Sequence, residues 1–448
     1  MFRIFFLGAL ALLVVGCASH GKVVNEPRIA YGDTPSYSLR TFQDKWRSDP
    51  NALMLAFSGG GTRAAALAYG VLKELRDTGI PGSESNRRLI DEIHSISSVS
   101  GGSFTAAYYG LHGDRIFEDY EQEFLRQNVQ GALIHRLMNP VRWFSGFGRT
   151  EMAADYYEST VFKGATFEDM LRSEGPMVLI NTSDFARGVR FSFVQDYFDL
   201  LCSDLSSFPV ARAVTASSAV PVLFNPVVLE NFPDCGSKAQ GWLQEVREHV
   251  KDKPDLLLTV DGLASYSDHQ QRRYIHFVDG GITDNLGLRA FYEIVELNGG
   301  FGRYAKKMQR TPPRRLVLIS VNAATNPQST MDQTTKQPSV AASISAMSDV
   351  QLRRFSTDTI ALVKKRFTQW AAEVSTPERR VEPYFILLDF DGIAEAERRE
   401  FLNQVPTSFS LSDDQVDVLI ATGGELLRNH PEFRRLMADL TSDAQSKR

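Results

Sequence analysis

A serine, an aspartate and three consecutive glycines stand out in this 448-residue chain, each at the end of an apolar run. The glycines, Gly59-Gly60-Gly61, lie in AFSGGGTRAAALAYGVLKEL (residues 56–75), where an apolar stretch gives way to an alanine-rich one. Backbone amides can converge there without Cβ atoms in the way, and a following helix adds the positive end of its dipole. Such a loop suits negative charge of any origin: a phosphate, a dinucleotide or an oxyanion. A phosphate loop needs G-x-x-x-x-G-K-[ST], and no such Lys-Ser or Lys-Thr follows. Gly59 to Ala64 does satisfy G-x-G-x-x-A, but a dinucleotide site also asks for an acid at the end of the next strand. That strand ends Ser97-Ser98-Val99-Ser100-Gly101-Gly102, without a carboxylate.

It carries a candidate nucleophile instead. Ser100 falls between an apolar strand and a helix opening with glycines, the setting of a nucleophile elbow, with Ser98 where G-x-S-x-G has its first glycine. Asp279, in YIHFVDGGITDNLGLRAF, ends another apolar strand and precedes Gly280-Gly281. It reads either as a carboxylate reaching a serine at a neighbouring strand end or as a turn residue. Asp284 or Asn285, a few residues on, reads as the N-cap of the next helix.

Short apolar strands alternating with helices must position these residues. Residues 52–57 read as a strand and 63–76 as a helix closed by Gly79; residues 89–99 end in the strand HSISSV, and a helix starts near Gly101. PMVLINTSD, RYIHFVDGG and RRLVLISVN supply three more strands, so a parallel or mixed sheet covered on both faces is expected. Residues 325–339 read as a long loop, followed by a long helix (about 343–374), a strand at PYFILLDF and further helices. Arg353, Arg354, Lys364, Lys365 and Arg366 fall on the long helix and read as a solvated basic face rather than a headgroup contact.

Glycine loop, serine elbow and Asp-Gly-Gly occur in that order, with VARAVTASSAVPVLFNPVVL (210–229) between the last two. In this the chain resembles the patatin-like phospholipase family over about residues 52–290. The resemblance implies an α/β fold, a three-layer α/β/α sandwich with a mainly parallel central sheet, here with a C-terminal, mostly helical extension. It implies a lipid acyl hydrolase using a Ser–Asp dyad, with Ser100 as nucleophile and Asp279 as its partner. Gly59, Gly60 and Gly61 map to the oxyanion loop, and Arg63 to the family's loop arginine, grouped with that hole. Departures are Ser58 for the usual Asp, Ala64 for Gly, and Ser98 in the elbow. A serine needs a base. His94 and His276 lie inside strands and His430 has no motif around it, so Asp279 is asked to act directly. Burial beside apolar strands should raise its pKa from about 3.9 towards a useful value. No metal set and no cofactor are expected.

The N-terminus adds a targeting expectation. One positive charge (Arg3) precedes an apolar run over residues 4–15, the length of a signal-peptide core and short of the ~20 residues a spanning helix needs. It ends in Val14-Val15-Gly16-Cys17, which resembles the bacterial lipobox, with an ordinary signal peptide as the other reading. Lipidation at Cys17 would anchor the chain firmly. Ala18 after the Cys points to the outer membrane, facing the periplasm. In an oxidising compartment Cys202 and Cys235 form a disulfide or remain two buried thiols. The expected organisation is a signal peptide (1–17), a tether (18–50), a catalytic domain (51–325) and an α-rich extension packing on it (326–448). The aromatic stretch NPVRWFSGFG (139–148) reads as a lid or a buried cluster. The net charge of −5 gives no reason to expect nucleic acid, and membrane lipids are the expected partners. Two rival functions remain open: a catalytically inactive scaffold of the same fold, and a dinucleotide-binding enzyme.

Overall fold

Apolar runs of four to eight residues, too short to bury a helix face, become the strands of one eight-stranded sheet. The computed structural model describes residues 20–29, 35–45, 50–82, 87–132, 148–221, 223–233, 238–326 and 331–446. The strands are β1 (Asn51–Phe57), β2 (Ile93–Val99), β3 (Met177–Asp184), β4 (Val189–Ser192), β5 (Val227–Glu230), β6 (Tyr274–Asp279), β7 (Arg315–Val321) and β8 (Glu382–Leu388). Their order is β8-β7-β1-β2-β3-β6-β5, with β4 also paired to β3. The first four pairings along this order are parallel, whereas β6 runs antiparallel to both β3 and β5. β1, β2, β3 and β7 are buried almost throughout, as strands covered on both faces must be.

Helices provide that cover. They include α1 (Gly61–Asp77), α2 (Gly101–His112), α3 (Val210–Ser217), α4 (Leu288–Leu297), α5 (Val340–Val374) and α6 (Asp413–Asn429). The result is the α/β sandwich expected, with a mainly parallel sheet and a helical C-terminal part. The segment beyond residue 326 does more than pack on the outside, because β8 pairs with β7 over seven residues and α6 lies along α1. On α5, Arg353, Arg354, Lys364 and Lys365 are exposed. Arg366 instead reaches the buried Glu296, which also accepts from Trp370 Nε1 (2.9 Å). Among the described residues no helix is long and apolar enough to cross a membrane. Cys202 is disulfide-bonded. Cys17, Cys235 and all of the aromatic stretch but Gly148 lie outside the described residues.

The registers matter most for the site. Val99, the last residue of β2, stands opposite Asn181 of β3, while Asp279, the last residue of β6, stands opposite Thr182. Two strands running in opposite directions therefore end on adjacent rungs of β3.

Candidate active site

Ser100 joins β2 to α2 with φ 50° and ψ −122°, a left-handed conformation that a residue with a Cβ adopts only when its surroundings enforce it. Ser217 does much of the enforcing. Its Oγ accepts the Ser100 N–H (2.9 Å), donates to the Asn181 carbonyl (2.6 Å) and lies 3.0 Å from Ser103 Oγ. Its carbonyl accepts the Gly280 N–H (3.1 Å), and the Ala219 carbonyl accepts the Asp279 N–H (3.0 Å). The C-terminal end of α3 thus grips the elbow with one group and the end of β6 with two others.

Asp279 is 7% exposed and Ser100 6%. Burial pushes the Asp279 carboxyl up from the usual 3.8 to about 6. The Gly281 N–H, which donates to Oδ1 at 2.7 Å, and the Ser100 hydroxyl oppose that rise. The structure therefore places the two side chains singled out in the sequence side by side at the ends of their strands, near enough for the Ser100 hydroxyl to act on the Asp279 carboxyl. Among the described residues no histidine bonds to either: the His94 ring bonds to Arg310, His430 Nδ1 accepts the Glu432 N–H, and His276 points to solvent. Because arginine can only donate, His94 Nδ1 is the acceptor and its proton sits on Nε2.

The glycine loop lies directly against the elbow. A Cβ on Gly101 would stand 2.0 Å from the Gly61 carbonyl oxygen, and one on Gly61 2.4 Å from the Ser408 carbonyl oxygen, so neither position admits a side chain. Gly61 also has φ +62°, a conformation that favours glycine. The three glycines are not equivalent. The Gly59 N–H is committed to the Asn285 carbonyl (2.9 Å). Gly60 and Gly61 stand at the start of α1, where the first amides have no acceptor within the helix. The next amide, Thr62 N–H, bonds the Ser408 carbonyl (2.9 Å).

Arg63 is placed differently from the expectation that grouped it with the oxyanion donors. Nε donates to the Ala323 carbonyl (2.8 Å), Nη1 to the Val405 carbonyl (2.5 Å) and Nη2 to Thr407 Oγ1 (3.0 Å). Burial lowers its pKa to about 10, and its bonds tie the loop to the end of β7 and to the C-terminal segment. Asp284 accepts the Ala290 N–H (3.2 Å) in the first turn of α4, while Gly287 holds the N-cap position. It caps the helix from three residues further back than expected. Burial raises its pKa to about 6 as well, against the pull of Arg190.

Ser217, Asn285 and Ser408 were not singled out for the site. Ser217 lay in the family-like block 210–229, where nothing separated it from the adjacent Ser218. Asn285, with Asp284, reads in the sequence as a helix cap, and Ser408 carries no sequence signal. An apolar cavity of about 70 Å³ lies beneath α4, lined by Met54, Leu179, Phe291 and Trp370 among others, and neither Ser100 nor Asp279 lines it.

The sequence profile described as patatin-like phospholipase matches residues 55–292, over half of the chain. Similar solved structures include human GIVD cytosolic phospholipase A2, at 12% identity and a TM-score of 0.42, covering 88% of this chain and 63% of that one. The same human protein in complex with methyl gamma-linolenyl fluorophosphonate and terbium chloride gives 12% identity, a TM-score of 0.40 and coverages of 95% and 67%. VipD from Legionella pneumophila gives 12% identity, a TM-score of 0.28 and coverages of 96% and 73%. The chain thus spans less than two thirds of the length of the first of these. No curated protein sequence matches the chain.

Two outcomes follow from the geometry. A carboxyl group whose folded pKa exceeds its unfolded one contributes stability that is complete below about pH 4 and lost as pH rises through about 6. Asp279→Asn should therefore stabilise the protein at pH 8, by on the order of 1–3 kcal/mol for a shift of about two units. At pH 4 it should change little. Thermal melts at the two pH values check this, and an unchanged melting temperature at pH 8 would contradict it. Ser217→Ala removes the acceptor for the Ser100 N–H and costs about 1–3 kcal/mol of stability. It should also slow modification of Ser100 by a fluorophosphonate at least tenfold; labelling at the wild-type rate would remove Ser217 from the positioning role.

Proposed function

Because the chain belongs to the patatin-like phospholipase family, we propose that it is a serine acyl hydrolase cleaving fatty-acyl esters of phospholipids and related lipids. The observation that carries this reading is the placement of Ser100 beside the buried Asp279 carboxyl, on strand ends that meet at adjacent rungs of β3 with the glycine loop against them; burial raises that carboxyl to about 6, which suits a base at neutral pH. Ser100 Oγ attacks the ester carbonyl carbon as its proton passes to Asp279. The Gly60 and Gly61 amides hold the resulting oxyanion, an arrangement in which one donor is worth about 10²–10³ in rate. Asp279 returns the proton to the departing alcohol, leaving an acyl ester on Ser100. It then takes a proton from water, which attacks that ester; Ser100 recovers its proton and the fatty acid leaves. Gly59 supports this chemistry through its bond to Asn285, and Arg63 through the loop's conformation, rather than as direct donors.

The lipobox-like Cys17 supports a further part of the proposal, that the chain is a lipoprotein of the bacterial envelope, anchored in the outer membrane and facing the periplasm. Acyl chains on Cys17 would then hold the hydrolase beside bilayer substrate.

Hydrolysis of a panel of diacyl phospholipids, lysophospholipids and triacylglycerols by wild type, Ser100→Ala and Asp279→Asn tests the reading. Wild type should release fatty acid from at least one class, with both variants slower by at least about 10³. Equal turnover by all three would end the dyad assignment. A folded wild type inert to every lipid and to fluorophosphonate would favour the scaffold.

A further inference from the structure

We propose that the side-chain amide of Asn285 is a third hydrogen-bond donor to the acyl carbonyl of the substrate as it becomes an oxyanion. This rests on the hydrolase reading and extends it to a residue that the sequence marks only as a helix cap.

The position of Asn285 comes first. It follows Asp279 by six residues, beyond the one-turn helix Gly281–Asp284, and that turn carries it back over the site. A Cβ on Gly59 would stand 2.6 Å from Asn285 Oδ1 and 3.4 Å from Ser100 Cβ. One on Gly281 would stand 2.9 Å from Asn285 Oδ1 and 2.9 Å from Asp279 Oδ1. The carboxamide therefore shares one neighbour with the nucleophile and another with the base. Only glycines at 59 and 281 leave room for it there.

Its bonding comes second. The backbone carbonyl of Asn285 anchors the glycine loop through the Gly59 N–H (2.9 Å), but its side chain makes no hydrogen bond among the described residues. Neighbouring polar side chains are engaged: Asn181 Nδ2 donates to Ser97 Oγ and the Ser98 carbonyl, Ser217 makes three contacts and Asp284 caps α4. A half-buried carboxamide beside a nearly buried dyad, its N–H donors without a partner among the described residues, is free to bond a group that is not on the chain. A structural cap would instead have used Oδ1 to accept a backbone N–H of the next helix, whose N-cap position is held by Gly287.

The inventory of donors comes third. The Gly59 N–H is committed to Asn285, the Ser100 N–H to Ser217, and the Arg63 guanidinium to Ala323, Val405 and Thr407. Gly60 and Gly61 remain from the loop, and the Asn285 carboxamide joins them: its oxygen is the atom placed against Gly59 and Gly281, and a half-turn about Cβ–Cγ presents Nδ2 there instead. An amide side chain can supply such a donor as well as a backbone N–H can.

Substitution leaves the backbone carbonyl of residue 285 in place, so the loop anchor survives and the side chain is tested alone. The probes are a fluorophosphonate, followed by its rate of reaction with Ser100, and hydrolysis of a p-nitrophenyl acyl ester. Wild type, Asn285→Ala and Asn285→Leu are compared; Leu keeps the branched shape without a donor. Both variants should lose about 10- to 100-fold in kcat and in phosphonylation rate, with KM within about twofold and unchanged melting temperatures. Wild-type rates in both variants would overturn the assignment while leaving the dyad intact. A fall in melting temperature with kcat and KM moving together would also overturn it, in favour of a packing role. A wild type that neither labels nor turns over would overturn this inference together with the reading beneath it.

Discussion

A carboxylate held out of water against a serine hydroxyl sets the conditions for the surrounding structure. Among the described residues, Asp279 has one backbone N–H and one hydroxyl to offset its removal from solvent, and burial raises its pKa to about 6. Fuller hydrogen bonding would pull the pKa down and weaken the base, and a nearby cation would do so further. Asp284 makes the contrast clear. Its pKa is also raised to about 6, yet it faces Arg190 and caps a helix. Two perturbed carboxylates thus lie five residues apart, and the proposed base is the one beside a serine.

Holding that contact is the task of the sheet. A serine at the end of a parallel strand and an acid at the end of an antiparallel one meet because both strands stop on adjacent rungs of β3. The end of α3 fixes the meeting from outside, with Ser217 bonded to the elbow and the residues around it bonded to the end of β6. The strain at Ser100 is sustained by these bonds and by the Gly61–Gly101 contact. On the far side, Arg63 and Thr62 bind the glycine loop to residues 405–408, so the C-terminal part of the chain shapes a loop encoded near its start. The same part supplies β8 to the sheet and α6 to the face of α1.

The elements that depend on local pattern were legible in the sequence. Apolar runs gave strands at 51–57, 93–99, 177–184, 274–279, 315–321 and 382–388, and glycines at their ends pointed to the loop, the elbow and the acid. Direction was not legible, since an apolar run reads alike in either sense, and the antiparallel course of β6 is what levels Asp279 with Ser100. Nor could residue types reveal which amides are free. Gly59 looks like Gly60 until the Asn285 carbonyl is found on it, and Arg63 looks like an anion ligand until its three bonds are traced. Ser217, Asn285 and Ser408 act on the site partly through backbone carbonyls, which leave no trace in side-chain chemistry.

The central claim is that the buried Asp279 carboxylate is the base for Ser100, and the pH dependence of Ser100 modification by a fluorophosphonate tests it most directly. Wild-type protein should react at a rate that is flat above about pH 7, falls through an inflection near 6, and declines tenfold per pH unit below it. Asp279→Asn should react slowly at every pH with no inflection there. The same inflection near 6 in both proteins would assign the ionisation to another group and contradict the account.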